Sequence, residues 1–295
     1  MLARPGLPEF DYVKARTAQE VFQLLNENGP EVRLLMGGTD LFIQMRDRDQ
    51  GPRILLDVKE LPGMGEISFD QKTGLRVGAA LTLNKLSCHQ AVKEHYPVLG
   101  LAADTIGNYQ LRNRATFGGN LCNASPGADM APASLVCGGQ VILKSPRGER
   151  VLDLEEFWTG PGKTALAADE YLAAIHFPPP PSHTAGTYLK LGRSKMGDLA
   201  IVGVAVLGFP DPDCPAGLRF RIGINSTAPT PYRIPEVEEE LSRSELSEES
   251  LHKAAESAMK ISAPIEDVRA TAAYQKKMVR NLTYRALLDT WLCLQ

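Results

Sequence analysis

The stretch Leu34-Leu35-Met36-Gly37-Gly38-Thr39-Asp40-Leu41 decides how this chain is read. The stretch Val32 to Met36 predicts a short strand that enters a glycine pair without a spacer, and Leu41 to Arg46 predicts a helical segment after it. Glycines at such a junction have no Cβ to keep an anion from the backbone amides. The Thr39 hydroxyl adds a donor, and the helix points its positive end at the same place. A lone glycine pair after a strand is more often only a turn. A second copy, Thr116-Phe117-Gly118-Gly119-Asn120, again sets a hydroxyl residue beside paired glycines, and Asn123, Ser125 and Asp129 follow it. Two such loops suggest a pyrophosphate gripped from two sides. Asp129, in Ser125-Pro126-Gly127-Ala128-Asp129, carries two readings of equal weight: a carboxylate accepting from ribose hydroxyls, or a helix N-cap.

Before the first loop, Thr17 and Glu20 form a capping box for a helix from Thr17 to Leu25, stopped by Asn28-Gly29-Pro30. After it, Ile54 to Val58 predicts a strand, so residues 1 to about 58 read as a small α/β unit. Strands are expected at Leu75 to Ala80, Val141 to Lys144 and Arg150 to Leu152, the last two joined by the turn Ser145-Pro146-Arg147-Gly148. Thr105 to Pro132 is rich in small residues and weak in periodicity, and reads as a loop-rich segment not devoted to core packing. A strand from Tyr171 to Phe177 runs into four prolines, Pro178 to Pro181, where a domain boundary is expected. Beyond it, Leu199 to Phe209 reads as a buried strand. Leu218 to Ile224 alternates apolar with polar residues, the pattern of a half-buried antiparallel strand. From Pro235 onward the chain reads as helices, with the Glu- and Ser-rich Glu236 to Glu249 as a solvated face.

Composition narrows the function. The 295 residues suffice for about two domains, and 43% hydrophobic with 23% charged residues is ordinary for a globular protein. Lys plus Arg number 32 against 35 Asp plus Glu, which disfavours a nucleic-acid partner. The N-terminal segment mixes Glu9, Asp11, Lys14 and Arg16 with isolated apolar residues, so no secretory signal is read. The longest apolar run, between Asp198 and Pro210, falls well short of the roughly 20 residues of a membrane span. Five dispersed cysteines without a C-x-x-C pair argue for a reducing compartment and against a thiolate metal site. Gly160-Pro161-Gly162-Lys163-Thr164 contains G-K-T, but Phe157 stands where a P-loop needs glycine, and it reads as a surface turn. Neither glycine loop matches G-x-G-x-x-G, and the unit around Gly37-Gly38 reads as too irregular for a βαβ crossover, which argues against a Rossmann domain.

Leu34 to Leu41, Gln110 to Asn113, and Ala115-Thr116-Phe117-Gly118-Gly119-Asn120-Leu121-Cys122-Asn123-Ala124-Ser125-Pro126-Gly127-Ala128-Asp129 together resemble the FAD-binding medium subunit of molybdenum hydroxylases, the group containing carbon monoxide dehydrogenase and xanthine dehydrogenase. The resemblance runs the length of the chain. It implies an α+β fold: a two-subdomain FAD-binding domain of the vanillyl-alcohol-oxidase/PCMH type over residues 1–178, divided at about 58, and a C-terminal antiparallel sheet with helices over residues 179–295. It assigns the FAD pyrophosphate to Leu34, Leu35, Met36, Gly37, Gly38, Thr39, Asp40 and Leu41 and to Thr116, Gly118, Gly119 and Asn120. Asp129 matches a ribose-side aspartate, Ile106 and Leu172 match apolar flavin contacts, and Lys190 in Tyr188-Leu189-Lys190 matches a lysine near the isoalloxazine. Phe117 and Met36 depart from the residues common in the family but stay apolar.

By the same resemblance the chain relays electrons from an iron-sulfur small subunit to NAD, a quinone or another carrier. A molybdenum-cofactor large subunit then holds the substrate chemistry, within a cytoplasmic dimer of heterotrimers. Some relatives carry an extra iron-sulfur cluster in this subunit, which needs four clustered cysteines that this sequence lacks. The alternative reading is a self-contained FAD-dependent oxidoreductase of the same fold superfamily, but no flavin-linking histidine motif is present.

Overall fold

A computed structural model of the chain describes residues 6–48, 51–194, 197–266 and 268–295. Three principal sheets follow one another along it. The first is built from β1 (Asp11–Lys14), α1 (Ala18–Asn28), β2 (Val32–Leu35), α2 (Leu41–Arg48) and β3 (Ile54–Asp57), with β3 between β1 and β2 and parallel to both. All four residues of β3 are buried, as expected for a central parallel strand covered on both faces. Thr17 caps α1 by accepting from the Glu20 amide at 3.3 Å, while the Glu20 carboxylate reaches the Arg16 amide at 2.7 Å, one residue before the position a capping box requires. The exclusion of a βαβ crossover is overturned: β2 and β3 are parallel neighbours joined by α2. Both strands and the helix lie where the sequence places them, but their parallel pairing is set by packing and leaves no mark in either strand's own residues. With three strands, the sheet is still not a doubly wound dinucleotide fold.

The second sheet lies within residues 67–177. Its elements are β4 (Ile67–Asp70), β5 (Gly74–Gly78), α3 (Leu83–Cys88), α4 (Gln90–His95), α5 (Pro97–Asp104), α6 (Tyr109–Arg112), α7 (Phe117–Cys122), α8 (Met130–Val136), β6 (Gln140–Ser145), β7 (Gly148–Asp153), α9 (Leu154–Phe157), the small hairpin β8 (Trp158–Gly160) with β9 (Lys163–Thr164), and β10 (Tyr171–Phe177). The strands run antiparallel in the order β4-β5-β10-β6-β7. Thr105 to Pro132 does not behave as a loop outside the core. It contains α6, α7 and the start of α8, and Phe117, Leu121, Ala124, Ala128, Met130 and Ala131 are all buried. Small residues give a weak hydrophobic pattern, yet they allow backbones to touch: a Cβ added to Gly118 would lie 2.6 to 2.9 Å from the Cβ, O and Cα of Ala79.

The third sheet comprises β11 (Ala185–Leu191), β12 (Val202–Pro210), β13 (Leu218–Asn225) and β14 (Tyr232–Arg233), antiparallel in that order, followed by α10 (Pro235–Arg243), α11 (Glu248–Ile261) and α12 (Ala272–Leu292). One face, with Val202, Val204, Val206, Phe220, Ile222 and Ile224, joins a core with Val237, Leu241, Leu251, Val279 and Leu287 from the three helices. The other face, including Tyr188, Ala205 and Leu207, packs on α5 and α8 of the preceding unit. The half-buried reading of β13 is therefore corrected. Its alternation is real, but its polar face meets α8, with Arg221 donating to the Val136 carbonyl at 3.2 Å and Gly223 seated against Pro132. Leu199 lies outside β12 and is exposed. In the Glu-rich helix, Glu238 is buried, accepting from the Ile222 amide at 2.8 Å and pairing with Arg233.

Candidate functional site

The first glycine loop leaves the carboxyl end of β2, an edge strand of the parallel sheet, where ligands of such sheets characteristically bind. Gly38 has φ +75°, a left-handed conformation suited to glycine, and a Cβ there would strike the Phe42 ring. The amides of Gly37, Gly38, Thr39 and Asp40 donate to no acceptor among the described residues. Four free donors at the head of α2 form a ready anion cradle. Leu35 and Met36 are buried beneath it, Leu34 and Leu41 are half-buried beside it, and Asp40 is exposed at its rim. Partial burial raises the Asp40 carboxyl above its usual range, with the Thr39 hydroxyl pulling it back.

The second loop is brought against the first. A Cβ on Gly37 would lie 2.4 Å from the Arg114 carbonyl oxygen, so the two backbones touch through that glycine. Farther along, the Gln44 amide donates to Asn123 at 3.0 Å and ties α2 to the end of α7. The amides of Phe117 to Asn120, however, are already used. Phe117 donates to Leu81 (3.0 Å), Gly118 to Ala79 (2.8 Å) and Asn120 to the Thr116 carbonyl (3.0 Å), while Gly119 donates to the Thr116 hydroxyl (3.2 Å), the N-cap of α7. Gly119 is the open one of the pair, since a Cβ there would closely approach only the Thr116 hydroxyl. The Asn120 side-chain oxygen is buried and has no partner among the described residues. An orphaned acceptor beside an open glycine fits a bound polar group with a donor to offer.

Asp129 and Lys190, 61 positions apart in the chain, meet in one buried ion pair at 2.8 Å. The other Asp129 oxygen accepts from the Tyr188 hydroxyl at 2.7 Å, and Lys190 also donates to the Thr105 carbonyl at 3.2 Å, next to Ile106. Of the two readings of Asp129, the N-cap fails: the residue is already helical in φ and ψ and its side chain makes no cap bond. Burial pushes its carboxyl up from the usual range, and Lys190 and Tyr188 pull it back. Ile106 is buried, its carbonyl held by Arg112 at 3.0 Å. Leu172 lies deeper, 1% exposed at a bulge in β10 whose Ala173 carbonyl accepts from the Ala79 amide, so it supports the wall under Gly118.

Residues 8–180 match the family described as the FAD binding domain in molybdopterin dehydrogenase, and residues 187–290 match the carbon monoxide dehydrogenase flavoprotein C-terminal domain. The chain belongs to the FAD-binding medium subunits of the molybdenum hydroxylases. It is 32% identical to the xanthine dehydrogenase FAD-binding subunit of Escherichia coli O157:H7, over 94% of each chain. It is 31% identical to the carbon monoxide dehydrogenase medium chain of Hydrogenophaga pseudoflava, over 96% of this chain and 98% of that one. A solved structure of carbon monoxide dehydrogenase from Hydrogenophaga pseudoflava that lacks the Mo-pyranopterin moiety superimposes with a TM-score of 0.92 at 30% identity, covering 98% of this chain and 99% of that chain. The relatives are subunits of oxidoreductases, and the two-domain α+β fold is theirs.

Two members of the buried cluster escaped the sequence reading of this family member, Tyr188 and Asn225. Tyr188 sits two residues before Lys190 on β11, hence on the same face, and that period was the available signal. Asn225 ends the polar face of β13 and donates to the Ala128 carbonyl at 3.0 Å, just before Asp129. Its distance from Asp129 along the chain gave no signal.

Proposed function

We propose that the chain binds FAD non-covalently and serves as the electron-transfer subunit of a multi-subunit molybdenum hydroxylase. Electrons pass between iron-sulfur clusters of a small partner subunit and an external acceptor such as NAD or a quinone, and a large partner subunit carries the molybdenum cofactor. The observation that carries this reading is the row of four unpaired amides at Gly37 to Asp40, butted through Gly37 against the Arg114 and Ala115 backbone. Those amides hold the pyrophosphate, with Leu34, Leu35, Met36 and Leu41 shaping the floor, and Thr116, Gly118, Gly119 and Asn120 form the opposite wall. Asp129 serves the ribose side. Ile106 and Leu172 supply apolar support for the ring, and Lys190 lies beside the isoalloxazine, where a cation favours the reduced, negatively charged form. FAD, when bound, exchanges electrons singly or in pairs, which couples one-electron clusters to a two-electron acceptor.

The reading includes an FAD-binding domain over residues 1–178 with subdomains meeting near residue 58, a C-terminal domain over residues 179–295, and a cytoplasmic dimer of heterotrimers. Acid precipitation of the purified chain followed by spectroscopy of the supernatant tests the cofactor. Free FAD is expected; FMN in its place, or flavin retained on the pellet, contradicts the reading.

A further inference from the structure

The Asp129–Lys190 pair is held from behind by groups of the C-terminal sheet. Tyr188 donates its hydroxyl to Asp129, is itself 5% exposed, and is faced by the Asn225 side chain. Asn225 is fully buried, with its amide on the Ala128 carbonyl and its oxygen accepting from the Ser226 hydroxyl at 3.3 Å. The space is closed around them. A Cβ on Gly203, the β12 neighbour of both Lys190 and Asn225, would lie 2.4 Å from the Tyr188 hydroxyl oxygen and 2.5 Å from the Asn225 oxygen. Tyr188 and Lys190, from one strand, thus meet on the Asp129 carboxylate, and Asn225, from a second strand of the same sheet, holds the Ala128 backbone beside it.

A merely structural buried tyrosine would need one acceptor, and any carbonyl would serve. Here the acceptor is the carboxylate that also neutralises Lys190, and a buried carboxylate keeps its charge only while donors compensate its lost hydration. We infer that Tyr188 and Asn225 are positioning residues that hold Asp129 ionised and aimed at Lys190, and through that pair set the reduction potential of the flavin. Neither touches the flavin. The inference rests on the flavin lying beside Lys190.

The sign follows from charge. Tyr188→Phe removes one of the two donors to Asp129 and drives the buried carboxyl toward its neutral form, so the opposing negative charge beside Lys190 is lost and the reduced flavin is favoured. Lys190→Met removes the ammonium itself and disfavours the reduced flavin. It also leaves Asp129 without a cation and neutral, so Tyr188→Phe has nothing further to change in that background.

The test is a double-mutant cycle on the midpoint potential of the FAD-loaded full chain, titrated against a reference dye. Lys190→Met is expected to lower the midpoint. Tyr188→Phe is expected to raise it by a tenfold change in equilibrium, about 30 mV for a two-electron couple, and the double variant is expected to match Lys190→Met alone. An unmoved midpoint in Tyr188→Phe, or the same shift in both backgrounds, overturns the inference while leaving Lys190 beside the flavin. An unmoved midpoint in Lys190→Met overturns the placement of Lys190 itself. Asn225→Ala is expected to shift the midpoint in the direction of Tyr188→Phe and to add nothing to it; an unchanged value removes Asn225 from the assignment. If Tyr188→Phe is isolated without flavin, the same cycle is read on FAD affinity by fluorescence quenching, where additive losses overturn the inference and non-additive losses support it.

Discussion

The two glycine loops look alike in sequence and are used in opposite ways. In Gly37-Gly38-Thr39-Asp40 every amide is left without an acceptor among the described residues, whereas in Phe117-Gly118-Gly119-Asn120 every amide is satisfied internally. The glycines divide the same way. Gly37 and Gly118 allow close backbone approach, to Arg114 and Ala79 respectively, while Gly119 borders open space and Gly38 supplies a left-handed turn. A glycine pair therefore specifies a close approach without specifying to what. The first loop offers donors, and the second builds the wall they face.

The sharpest way to break this comparison is to place the same branched side chain at the two neighbours Gly118 and Gly119. Gly118→Val meets Ala79 backbone atoms that cannot yield, and we expect a cost of about 3 kcal/mol or more, read as a fall in Tm on the order of 10 °C. Gly119→Val displaces only the Thr116 hydroxyl and fills the open side, so circular dichroism is expected to stay native while FAD content falls to near zero. Native stability in the first variant, or wild-type flavin in the second, refutes the division.

A smaller effect is expected from the bond that ties the loops together. Gln44→Ala removes the donor to Asn123 and is expected to weaken FAD two- to fivefold, with little change in Tm, on the basis of about 0.5 to 1 kcal/mol for such a bond. Fluorescence titration with FAD measures it, and an unchanged affinity means that the cleft does not need the clasp.

The smallest effect lies outside both loops, in the turn after β11. Bonds from Arg193 hold the Asp198 carboxyl down at about 2, below the usual carboxylate range. A depressed folded-state value means that its contribution is present above the unfolded value and is lost as pH falls through the folded one. Asp198→Asn is expected to flatten slightly the loss of stability between about pH 4 and 2, with FAD affinity at neutral pH unchanged. Acid titration of ellipticity beside the wild type checks the first point. A drop in FAD affinity at neutral pH would extend the site beyond the two loops and the Asp129 cluster.

Much of the site was legible because glycine and charge leave local marks. Gly37, Gly38, Gly118 and Gly119 stand out where a strand or a hydroxyl residue precedes them, whereas Lys190 was reached only through the resemblance, because a lysine on a strand ordinarily faces solvent. The segment from Thr105 to Pro132 was misread for a physical reason. Alanine, glycine and serine contribute little to a hydrophobic pattern, and their value lies in letting α7 and α8 approach other backbone, which no window of sequence reports. The β2, α2 and β3 elements are legible one by one, but that they form a parallel crossover depends on how the strands pair, which no single strand's residues report. Likewise, the polar face of β13 was assigned to solvent because alternation records two kinds of face and is silent about what covers the second.

The amino-acid sequence by itself determined where the backbone turns tightly, where the apolar stripes run and where the proline run stops β10, since each depends on residues adjacent in the chain. Only the tertiary structure decided which glycine amides stay free, that Gly37 touches Arg114, and that Asp129, Tyr188, Lys190 and Asn225 share one buried network. Those outcomes depend on which surfaces pack together over separations of about 60 residues or more, and burial turns such a meeting of charges from a weak solvated contact into a constraint that must be satisfied.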